Sequence, residues 1–455
     1  MKRSYRDMQV VVVGAGGTGL ALCTYFCQRG ARVLLSDRRQ AAAIAGLAPL
    51  VAAGVELDLG GHATARFVAA DLVVISPGVP LDVPALIAAA AAGVPVLGEI
   101  EIAARDCTAP LVAITGTNGK STTTTVMGEI FAAWGKTTFV GGNLGTPLIE
   151  ATKRDDWDWI VAEISSFQLE AIDQFHPRYG LLLNLTEDHL DRYPDMAAYV
   201  AAKLRIFERM TADDVAILNA EDPLVLSATA AIAPRRVYFS SRRLLPEGIG
   251  FDGTALVWRH AGREVRFAAA ELQLRGTHNL ENVMAALLPP LLAGCPAALA
   301  WQTACAFAGL EHRMRVVRVL DGVTWYNDSK GTNVGSVVKS LAGLNRPVTL
   351  IAGGKDKGGD YLPLAPLIKE KVTTLVLIGQ ATDRIAAALG HLTTTRRAAS
   401  LEEAVQLARE VTPAGGSVLL SPGCSSFDMF SGYVERGEVF TRAVLALPAR
   451  GEEGR

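Results

Sequence analysis

Short apolar runs recur along the chain, and each ends in glycine or a polar turn before a helical pattern begins. The runs are Gln9–Val13, Leu72–Ile75, Leu111–Ile114, Ile160–Val161, Leu181–Leu183, Val348–Ala352, Leu375–Ile378 and Val418–Leu420. Continuous apolar strands that alternate with helices are typical of parallel sheets covered on both faces. The pattern therefore predicts an α/β fold, and in such sheets ligands bind at the carboxyl ends of the strands.

Length and two changes in pattern predict three domains. A chain of 455 residues is expected to hold about three domains of roughly 150 residues each. One break is expected near Gly98, where a new strand, loop and helix begin, and another near Leu310, after an alanine-rich segment. The predicted domains are residues 1–97, 98–310 and 311–455. The turn-rich segment from Phe239 to Phe267 predicts a small antiparallel insert.

Charge and composition argue against several classes of protein. The 44 basic and 46 acidic residues give a net charge of -2, so the basic surface typical of nucleic-acid binding is absent. No apolar run reaches the roughly 18 residues that a membrane span needs. Gly14 and Gly16 interrupt the first apolar run, which indicates a strand rather than a signal peptide. Six scattered cysteines form no CxxC pair, which favours reduced thiols in the cytoplasm.

The stretch ITGTNGKSTTTT, which begins at Ile114, has the features of a phosphate-binding loop. Gly116 and Gly119 permit close approach of the backbone to a ligand, and the spacing of the following apolar residues predicts a helix from about Lys120. The amino end of a helix attracts anions, while Lys120 adds a charge and Ser121 a hydroxyl for Mg²⁺. Ile114 stands where the usual P-loop has its first glycine, so this loop is shorter.

The first strand leads into a second glycine pattern. Residues 14–19, GAGGTG, fit G-x-G-x-x-G, and Asp37 follows the next strand. After a strand and before a helix, this pattern is typical of sites that bind the pyrophosphate of a dinucleotide. An NAD-dependent oxidoreductase is therefore one interpretation, although close packing of a helix against a strand explains the glycines as well.

Several motifs in combination resemble those of the Mur ligase family. GTNGKST, at residues 116–122, resembles the nucleotide loop of that family, and the other motifs follow in the family's order. They are GGNLGTP (141–147), EISSFQL (163–169), NLTEDHLDRY (184–193), KLRIF (203–207), GTHNLEN (276–282), LEHR (310–313) and YNDSKGTN (326–333). The segment Asn327–Lys330, together with GGKDKG (353–358) and SPGCSSFDMF (421–430), resembles the members that add D-glutamate. The resemblance covers nearly the whole chain.

The resemblance implies a fold, a reaction and a location. The implied fold has a Rossmann-like amino-terminal domain that binds UDP, a central P-loop domain with a parallel sheet, and a Rossmann-like carboxyl-terminal domain that binds the amino acid. The implied reaction adds D-glutamate to UDP-N-acetylmuramoyl-L-alanine through an acyl phosphate, with ATP converted to ADP and phosphate. We expect two Mg²⁺ ions, a cytoplasmic monomer active in peptidoglycan precursor synthesis, and no nucleic-acid or membrane partner.

The resemblance also assigns residues to ATP and to the metal ions. The expected ATP contacts are Gly116, Thr117, Asn118, Gly119, Lys120, Ser121, Thr122, Asn279, Arg313 and Asp328. The expected metal ligands are Ser121, Glu163, His189 and Lys203, and the expected catalytic residues are Lys120, His189 and Lys203. By residue type alone, Glu163 is also an ordinary polar strand end, His189 an ordinary loop histidine and Asp328 a helix cap.

Lys203 poses a chemical problem, because an ammonium group cannot bind Mg²⁺. The resemblance implies that Lys203 reacts with CO₂ to form a carbamate, which supplies the oxygen ligands that a hard cation prefers. By residue type alone, Lys203 is also compatible with a surface lysine on a helix.

The two remaining substrates are assigned in the same way. The expected UDP-sugar contacts are Gly16, Gly17, Thr18, Gly19, Asp37, Arg38, Arg39, Ser76 and Asn143. The expected D-glutamate contacts are Lys330, Thr332, Lys357, Ser426, Phe427 and Tyr433. Lys330 and Lys357 suit a substrate with two carboxylates, but they do not distinguish D-glutamate from L-glutamate.

Three alternative functions are compatible with parts of the same pattern. They are an NAD-dependent oxidoreductase, a nucleotide-gated regulator without ligase activity, and a sister ligase that adds another amino acid. Protection against heat by the UDP-sugar but not by NAD argues against the first. Phosphate release that depends on D-glutamate argues against the second, and a panel of amino acids tests the third.

Overall fold

The structure, a computed structural model, describes residues 4–190, 192–274, 276–356 and 358–449. The chain divides into two compact units. The first unit comprises Met1–Leu185, Tyr199–Leu272 and Leu280–Ala306, and the second comprises Thr186–Ala198, Gln273–Asn279 and Phe307–Arg455. Within the described residues the strands form three sheets, of which two belong to the first unit and one to the second.

The amino-terminal sheet of the first unit is parallel. Its strands are β1 (Gln9–Val13), β2 (Arg32–Asp37), β3 (Glu56–Leu59), β4 (Leu72–Ile75) and β5 (Val96–Gly98). Its helices are α1 (Gly17–Cys27), α2 (Leu47–Ala52), α3 (Thr64–Val68), α4 (Pro84–Ala91) and α5 (Glu99–Asp106). The strand order β3-β2-β1-β4-β5 reverses direction at β1. The loop after β1 therefore lies at the switch point, where such sheets bind ligands.

The central sheet of the first unit carries the nucleotide loop. Its strands are β6 (Leu111–Thr115), β7 (Thr138–Gly142), β8 (Trp159–Glu163), β9 (Tyr179–Leu182), β10 (Val215–Asn219), β11 (Arg235–Phe239), β12 (Gly248–Phe251), β13 (Ala255–His260) and β14 (Arg263–Ala268). The accompanying helices are α6 (Lys120–Ala133), α7 (Ser166–Leu169), α8 (Met196–Leu204), α9 (Pro223–Ala228), α10 (Thr277–Leu292) and α11 (Ala297–Ala306). The strand order is β14-β13-β12-β11-β10-β9-β6-β8-β7.

The antiparallel segment predicted between Phe239 and Phe267 forms part of this central sheet. β13 pairs antiparallel with both β12 and β14, while β12 joins the rest of the sheet through a parallel contact between Ile249 and Phe239. The predicted antiparallel pairing is therefore confirmed, and the segment extends one edge of the central sheet.

The sheet of the second unit is covered by helices on both faces. Its strands are β15 (Arg315–Leu320), β16 (Val323–Asn327), β17 (Val348–Gly353), β18 (Val372–Ile378), β19 (Thr394–Arg397) and β20 (Ser417–Leu420). Its helices are α12 (Val334–Ala342), α13 (Ala365–Lys371), α14 (Thr382–Leu389), α15 (Leu401–Val411) and α16 (Tyr433–Ala446). Successive residues of β17 point to opposite faces: Leu350 packs in the core with α12 and α13, and Ile351 in the core with α15 and α16.

The predicted α/β fold class is confirmed. Each predicted apolar run overlaps a strand, although β9 ends at Leu182, one residue before the predicted end. In the sheet of the second unit the strand order is β15-β16-β20-β17-β18-β19. Among the described residues of this sheet, only the pair β15 and β16 is antiparallel. Across the described ranges, none of the helices combines the length and apolar character needed to cross a lipid bilayer.

Candidate active site

The loop between β6 and α6 has the geometry of a phosphate-binding loop. Gly116 and Gly119 have φ angles of 146° and 89°, which residues with a Cβ atom rarely adopt. A Cβ on Gly119 would lie 2.1 Å from Oδ1 of Asn282, so glycine is also required by the close approach of that side chain. Gly119 is the N-cap and Lys120 the first residue of α6, which confirms the predicted helix start. The N–H groups at the start of a helix suit an anion.

Asn184 fastens the loop to the end of the neighbouring strand β9. Its Oδ1 accepts the Asn118 N–H at 2.8 Å, and its Nδ2 donates to the Asn118 carbonyl at 2.9 Å. The Thr117 N–H donates to the Asn184 carbonyl at 3.0 Å. Asn184 was not among the predicted site residues, although its position directly after an apolar strand and within the NLTEDHLDRY motif was the available signal.

Two lysines converge on one carbonyl of the loop. Lys120 Nζ donates to the carbonyls of Gly116 and Thr117, each at 2.8 Å. Lys203 Nζ donates to the same Gly116 carbonyl at 3.0 Å and lies 4.6 Å from the ring centroid of Tyr199. Lys203 is only 1 % exposed, so the interpretation of Lys203 as a surface lysine is wrong. The structure thus brings Lys120 and Lys203 together at the nucleotide loop.

Glu163 lies beside this loop, at the carboxyl end of β8. It pairs in register with Ile114 of β6, the strand that leads into the loop. Its side chain is 2 % exposed, and its Oε1 accepts a hydrogen bond from Asn143 Nδ2 at 2.7 Å. Ser121, in the first turn of α6, is also buried. The sequence-predicted residues Asn143 and Glu163 are therefore in direct contact.

The donor atoms of this site suit Mg²⁺ in their chemistry. Ser121 and Glu163 offer oxygen atoms, which hard divalent cations prefer. Among the described residues, no group of three or more histidine, cysteine, aspartate or glutamate side chains is arranged to hold a metal ion. His189 lies in the second unit and is described with that unit.

The amino-terminal glycine loop is organised by Asp37. The Asp37 carboxylate accepts the Ala15 N–H at 2.7 Å, the Arg39 N–H at 2.8 Å and the Arg39 guanidinium at 2.8 and 3.0 Å. The hydrogen bonds from Arg39 hold the pKa of Asp37 well below its ordinary value. Ser76 Oγ donates to the Gly14 carbonyl at 3.1 Å. Asp37 and Ser76 therefore hold the shape of the loop.

The glycines of this loop have different roles. A Cβ on Gly19 would lie 1.8 Å from the Gly14 carbonyl oxygen, so Gly19 is required for close packing of α1 against β1. Gly16 and Gly17 face open space and, like Arg38 and Arg39, are exposed. The open side of the loop, with Gly16 and Gly17 at the start of α1, is therefore the side available to a ligand.

Residues predicted for the amino acid and the metal line one cavity of the second unit. The cavity has a volume of about 350 Å³, and its lining includes His189, Thr332 and Asn333. Asn333 Nδ2 donates to Asp188 Oδ2 at 2.9 Å, which fixes the segment that carries His189. His189 has a φ of 58°, an uncommon conformation for a residue with a side chain. The structure thus brings His189 and Thr332 together.

Other residues predicted for D-glutamate surround Tyr433. Lys330 Nζ lies 3.8 Å from the centroid of the Tyr433 ring, a cation–π distance. Ser426 is buried, whereas Phe427 is 69 % exposed. Lys330 and Tyr433 are therefore adjacent, while Phe427 is directed largely to solvent. The predicted contact Lys357 lies outside the described residues.

Arg436, which was not among the predicted site residues, holds these segments in place. Its guanidinium, in a side chain that is 1 % exposed, donates to Ser329 Oγ at 3.0 Å, to the Ser329 carbonyl at 2.8 Å and to the Cys424 carbonyl at 3.2 Å. Ser329 Oγ donates in turn to the Tyr433 carbonyl at 2.7 Å. Burial lowers the pKa of Arg436 to about 10. The available signal was an arginine on the apolar face of α16, four residues before the buried Phe440.

Asp328, predicted as a ribose contact or a helix cap, is buried within the second unit. Its Oδ2 accepts hydrogen bonds from Ser340 Oγ and Ser421 Oγ, each at 2.7 Å. Burial raises the pKa of Asp328 to about 6. The N-cap of α12 is Asn333, whose Oδ1 accepts the Ser336 N–H at 2.8 Å. The interpretation of Asp328 as the cap of this helix is therefore wrong.

The remaining predicted ATP contacts, Asn279 and Arg313, also lie in the second unit. Asn279 is in the first turn of α10, and its N–H donates to the Gly276 carbonyl at 3.1 Å. The neighbouring His278 has its pKa lowered to about 4 by burial and by the positive charges of Lys339 and Arg313. Arg313 therefore contributes to a positive environment close to Asn279, as expected for a group that binds an anion.

Three family descriptions match successive parts of the chain. They are "Mur ligase MurD-like, N-terminal domain" at residues 8–98, "Mur ligase middle domain" at residues 114–289 and "Mur ligase, glutamate ligase domain" at residues 312–424. Among solved structures, a pseudomurein peptide ligase type C from Methanothermus fervidus is similar with a TM-score of 0.62, at 18 % identity, over 96 % of this chain and 99 % of that chain. UDP-N-acetylmuramate-alanine ligase from Thermotoga maritima is similar with a TM-score of 0.59, at 18 % identity, over the same shares of each chain. These structures share the fold.

Curated relatives match over nearly their full length. A protein of Syntrophotalea carbinolica, named UDP-N-acetylmuramoylalanine--D-glutamate ligase, is 66 % identical over 98 % of this chain and 99 % of its own. A protein of Geotalea uraniireducens with the same name is 54 % identical over 97 % of this chain and 98 % of its own. These relatives are therefore similar to this chain in sequence, and over nearly its full length. The chain belongs to the Mur ligase family.

Proposed function

We propose that the chain is an ATP-dependent ligase that joins D-glutamate to UDP-N-acetylmuramoyl-L-alanine in peptidoglycan precursor synthesis. The observation that carries the proposal is the convergence of Lys120 and Lys203 on the Gly116 carbonyl, beside the buried carboxylate of Glu163. This arrangement concentrates charge where a nucleotide phosphate binds. The name shared by relatives at 66 % and 54 % identity supports the choice of substrates.

The first step is phosphoryl transfer from ATP to the alanine carboxylate of the UDP-sugar. A carboxylate and a triphosphate repel each other, so the reaction depends on positioning and on neutralising charge. The N–H groups of the Gly116–Thr122 loop and Lys120 bind the phosphates. A carboxylate oxygen then attacks the γ-phosphorus, the bond to the β-phosphate oxygen breaks, and ADP leaves. The product of this step is an acyl phosphate.

The second step forms the amide bond. The amino group of D-glutamate, after losing a proton, attacks the acyl carbon to give a tetrahedral intermediate. The bond from that carbon to the phosphate oxygen then breaks and phosphate leaves. We assign the two carboxylates of D-glutamate to Lys330 and Lys357, with Thr332, Ser426, Phe427 and Tyr433 around them. The contact between Lys330 and Tyr433 supports this assignment for Lys330.

Mg²⁺ is the proposed metal, with two ions per active site. Ser121, Glu163 and a carbamate on Lys203 are the proposed ligands in the first unit, and His189 is the proposed ligand in the second. When bound, the ions neutralise negative charge on the phosphates. The near-complete burial of Lys203 supports the carbamate, because a buried amine loses its proton more readily than an exposed one and the neutral amine is the form that reacts with CO₂.

The remaining assignments follow the same proposal. UDP is assigned to Gly16, Gly17, Thr18, Gly19, Asp37, Arg38, Arg39 and Ser76, the sugar-alanine arm to Asn143, and the adenosine of ATP to Asn279, Arg313 and Asp328. The open face of Gly16 and Gly17 supports the first assignment. We further propose domains at residues 1–97, 98–310 and 311–455, and a monomeric cytoplasmic enzyme.

A panel of amino acids tests the proposed function. The purified chain receives ATP, Mg²⁺ and UDP-N-acetylmuramoyl-L-alanine with D-glutamate, L-glutamate, D-aspartate, glycine or meso-diaminopimelate, and ADP and amide-linked product are measured. We expect product with D-glutamate only. Product with another member of the panel would identify a sister ligase, and ADP release without any product would favour a nucleotide-gated regulator.

A further inference from the structure

Glu99, the first residue of α5, has a buried carboxylate that contacts the segment directly after the loop at residues 142–147. Its Oε1 accepts the Ile149 N–H at 2.6 Å, and its side chain is 2 % exposed. Burial raises the pKa of Glu99 to about 7, while hydrogen bonds from the N–H groups of Ile149 and Leu148 oppose this shift. Within the described part of the chain, Glu99 forms no ion pair, and the charge that acts on it is that of Glu150, which is also negative. A buried carboxylate without an ion pair is costly, which favours a positioning role for this contact.

Ile149 belongs to the 3-10 helix Leu148–Lys153, which directly follows the loop at residues 142–147. The start of this loop is fixed to β8, because the Asn143 N–H donates to the Glu163 carbonyl at 2.8 Å. The loop is closed on itself by a hydrogen bond of 2.8 Å from the Gly142 N–H to the Thr146 carbonyl. Glu99 therefore holds the end of a short closed loop whose start is held at Glu163.

We propose that Glu99 is a positioning residue for the UDP-sugar acceptor, because it fixes the end of the 142–147 loop and so holds Asn143 in place. Asn143 Nδ2 donates to Glu163 Oε1 at 2.7 Å, so the same loop also orients this carboxylate. A Cβ on Gly142 would lie 2.4 Å from the Glu163 carbonyl oxygen, which leaves the loop little room to shift without disturbing that contact. The inference rests on the proposed function, which assigns Asn143 to the acceptor.

Glu101, two residues further along α5, provides a matched control. It is fully buried, and its carboxylate accepts the N–H groups of Asp173 at 2.9 Å and of Gln174 at 3.0 Å. Asp173 and Gln174 precede the amino end of β9, whereas the nucleotide loop follows the carboxyl end of the parallel strand β6. Loss of the Glu101 carboxylate therefore removes a buried contact of the same helix at the opposite end of the strands, together with the ion pair that Glu101 Oε1 forms with Arg105 Nε at 2.5 Å.

Steady-state kinetics of the full chain separate positioning from general stability. We expect Glu99→Ala to lower kcat/KM for UDP-N-acetylmuramoyl-L-alanine by about 10- to 100-fold, the scale on which a small misplacement of a binding group acts. The KM for D-glutamate should change by less than about twofold, because none of its proposed ligands belongs to the 142–147 loop. Glu99→Gln retains an acceptor oxygen for the Ile149 N–H and should restore most of the lost activity. Glu101→Ala should lower Tm without the selective effect on the acceptor.

Hydrogen exchange tests the loop without reference to turnover. Glu99→Ala should speed amide exchange in residues 142–149 but not in residues 171–176, and Glu101→Ala should do the reverse. If Glu99→Ala does not fold, Glu99→Asp tests the same contact, since it keeps the charge but withdraws the acceptor by one methylene. An unchanged kcat/KM for the acceptor, or unchanged exchange in the loop, overturns the inference. A wild-type chain that makes no product overturns the proposed function instead, and the exchange experiment then still decides whether Glu99 orders the loop.

Discussion

At the scale of single residues, the buried amine of Lys203 sets the first prediction. Its Nζ donates to the Gly116 carbonyl at 3.0 Å, beside the loop proposed for the phosphates. We expect Lys203→Ala to lower kcat by more than about 100-fold, the cost of removing one charge-stabilising group from an active site. Short carboxylic acids such as acetate or formate should restore part of the activity, because they supply the oxygen ligands of the proposed carbamate. The measurement is ADP release with increasing concentrations of the added acid.

Lys120→Ala is the matched control for this rescue. Lys120 reaches the same Gly116 carbonyl at 2.8 Å, but its proposed role is that of a cation at the phosphates. Added carboxylic acids should therefore leave Lys120→Ala inactive. Full activity of Lys203→Ala without any addition would remove the role of Lys203, and equal rescue of both variants would mean that the acids act elsewhere.

Asp328 makes the stability of the protein depend on pH. Its pKa is raised by burial from 3.8 to about 6, so the folded state binds this proton more tightly than the unfolded state. The resulting stabilisation is fully present below pH 3.8 and is lost as the pH rises through about 6. Asparagine does not ionise, so Asp328→Asn does not lose stability in this way as the pH rises. The free energy of unfolding of the variant should therefore rise relative to wild type between pH 4 and pH 7, by on the order of 3 kcal/mol.

Urea unfolding at several pH values measures this difference. Only the change with pH is diagnostic, because asparagine also alters the hydrogen bonds with Ser340 and Ser421. Ser421→Ala is a useful companion, since it removes one of these hydrogen bonds while leaving the carboxylate in place. Parallel stability curves for wild type and Asp328→Asn would contradict a raised pKa at this position.

The residues that sequence analysis missed share one physical property. Asn184 binds the backbone of Asn118 across 66 positions of the chain, and Arg436 binds Ser329 across 107 positions. Such contacts depend on which strands become neighbours, and local patterns of apolar residues or glycines do not encode that. Lys120 and Ser121 could be predicted because the loop and the helix start that position them are encoded by neighbouring residues in the sequence.

At the scale of elements, the loop before α6 requires glycine for two separable reasons. Gly119 has a φ of 89°, and a Cβ there would lie 2.1 Å from Asn282 Oδ1. Gly135, at the other end of the same helix, has a φ of 76° but faces open space. We expect Gly119→Ala and Gly135→Ala to share a backbone cost of about 1–2 kcal/mol. Only Gly119→Ala should also raise the KM for ATP, because the clash displaces the loop.

Thermal unfolding and ATP kinetics of the two glycine variants make this comparison. The variant Gly135→Ala measures the cost of the left-handed conformation alone. A larger loss of Tm in Gly119→Ala than in Gly135→Ala, with a raised KM for ATP only in Gly119→Ala, is the expected result. If both variants retain the wild-type KM, the close fit between Gly119 and Asn282 does not matter for nucleotide binding.

The order of strands and helices was largely predictable, because buried parallel strands read as continuous apolar runs. β17 and β20 illustrate this, with buried runs that match their predicted positions. β12 and β13 illustrate the limit: their antiparallel pairing was predicted, but their attachment to the central sheet depends on the contact between Phe239 and Ile249. That contact is set by the packing of the whole sheet, which the local pattern does not contain.

At the scale of the whole molecule, a ligand that binds only the folded state raises the midpoint of thermal unfolding. UDP-N-acetylmuramoyl-L-alanine at about 100 times its Kd should stabilise the fold by about 2.7 kcal/mol. NAD should give no shift, although the loop from Gly14 to Gly19 fits a dinucleotide pattern. The reason is that the proposed function assigns this loop, with Asp37 and Arg39, to the UDP group rather than to a dinucleotide. Differential scanning fluorimetry with each ligand measures the shift.

Variants of the glycine loop decide whether such a shift arises at the proposed UDP site. Gly17 faces open space on the ligand side, so Gly17→Val should leave the fold stable while its side chain fills the place of the pyrophosphate. Protection by the UDP-sugar should then be lost, while protection by ATP with Mg²⁺, which depends on the Gly116 loop, should persist. A UDP-sugar shift that survives Gly17→Val would place UDP elsewhere. An NAD shift that disappears in the same variant would instead mean that the first glycine loop binds a dinucleotide, so this single substitution tests both interpretations of the loop.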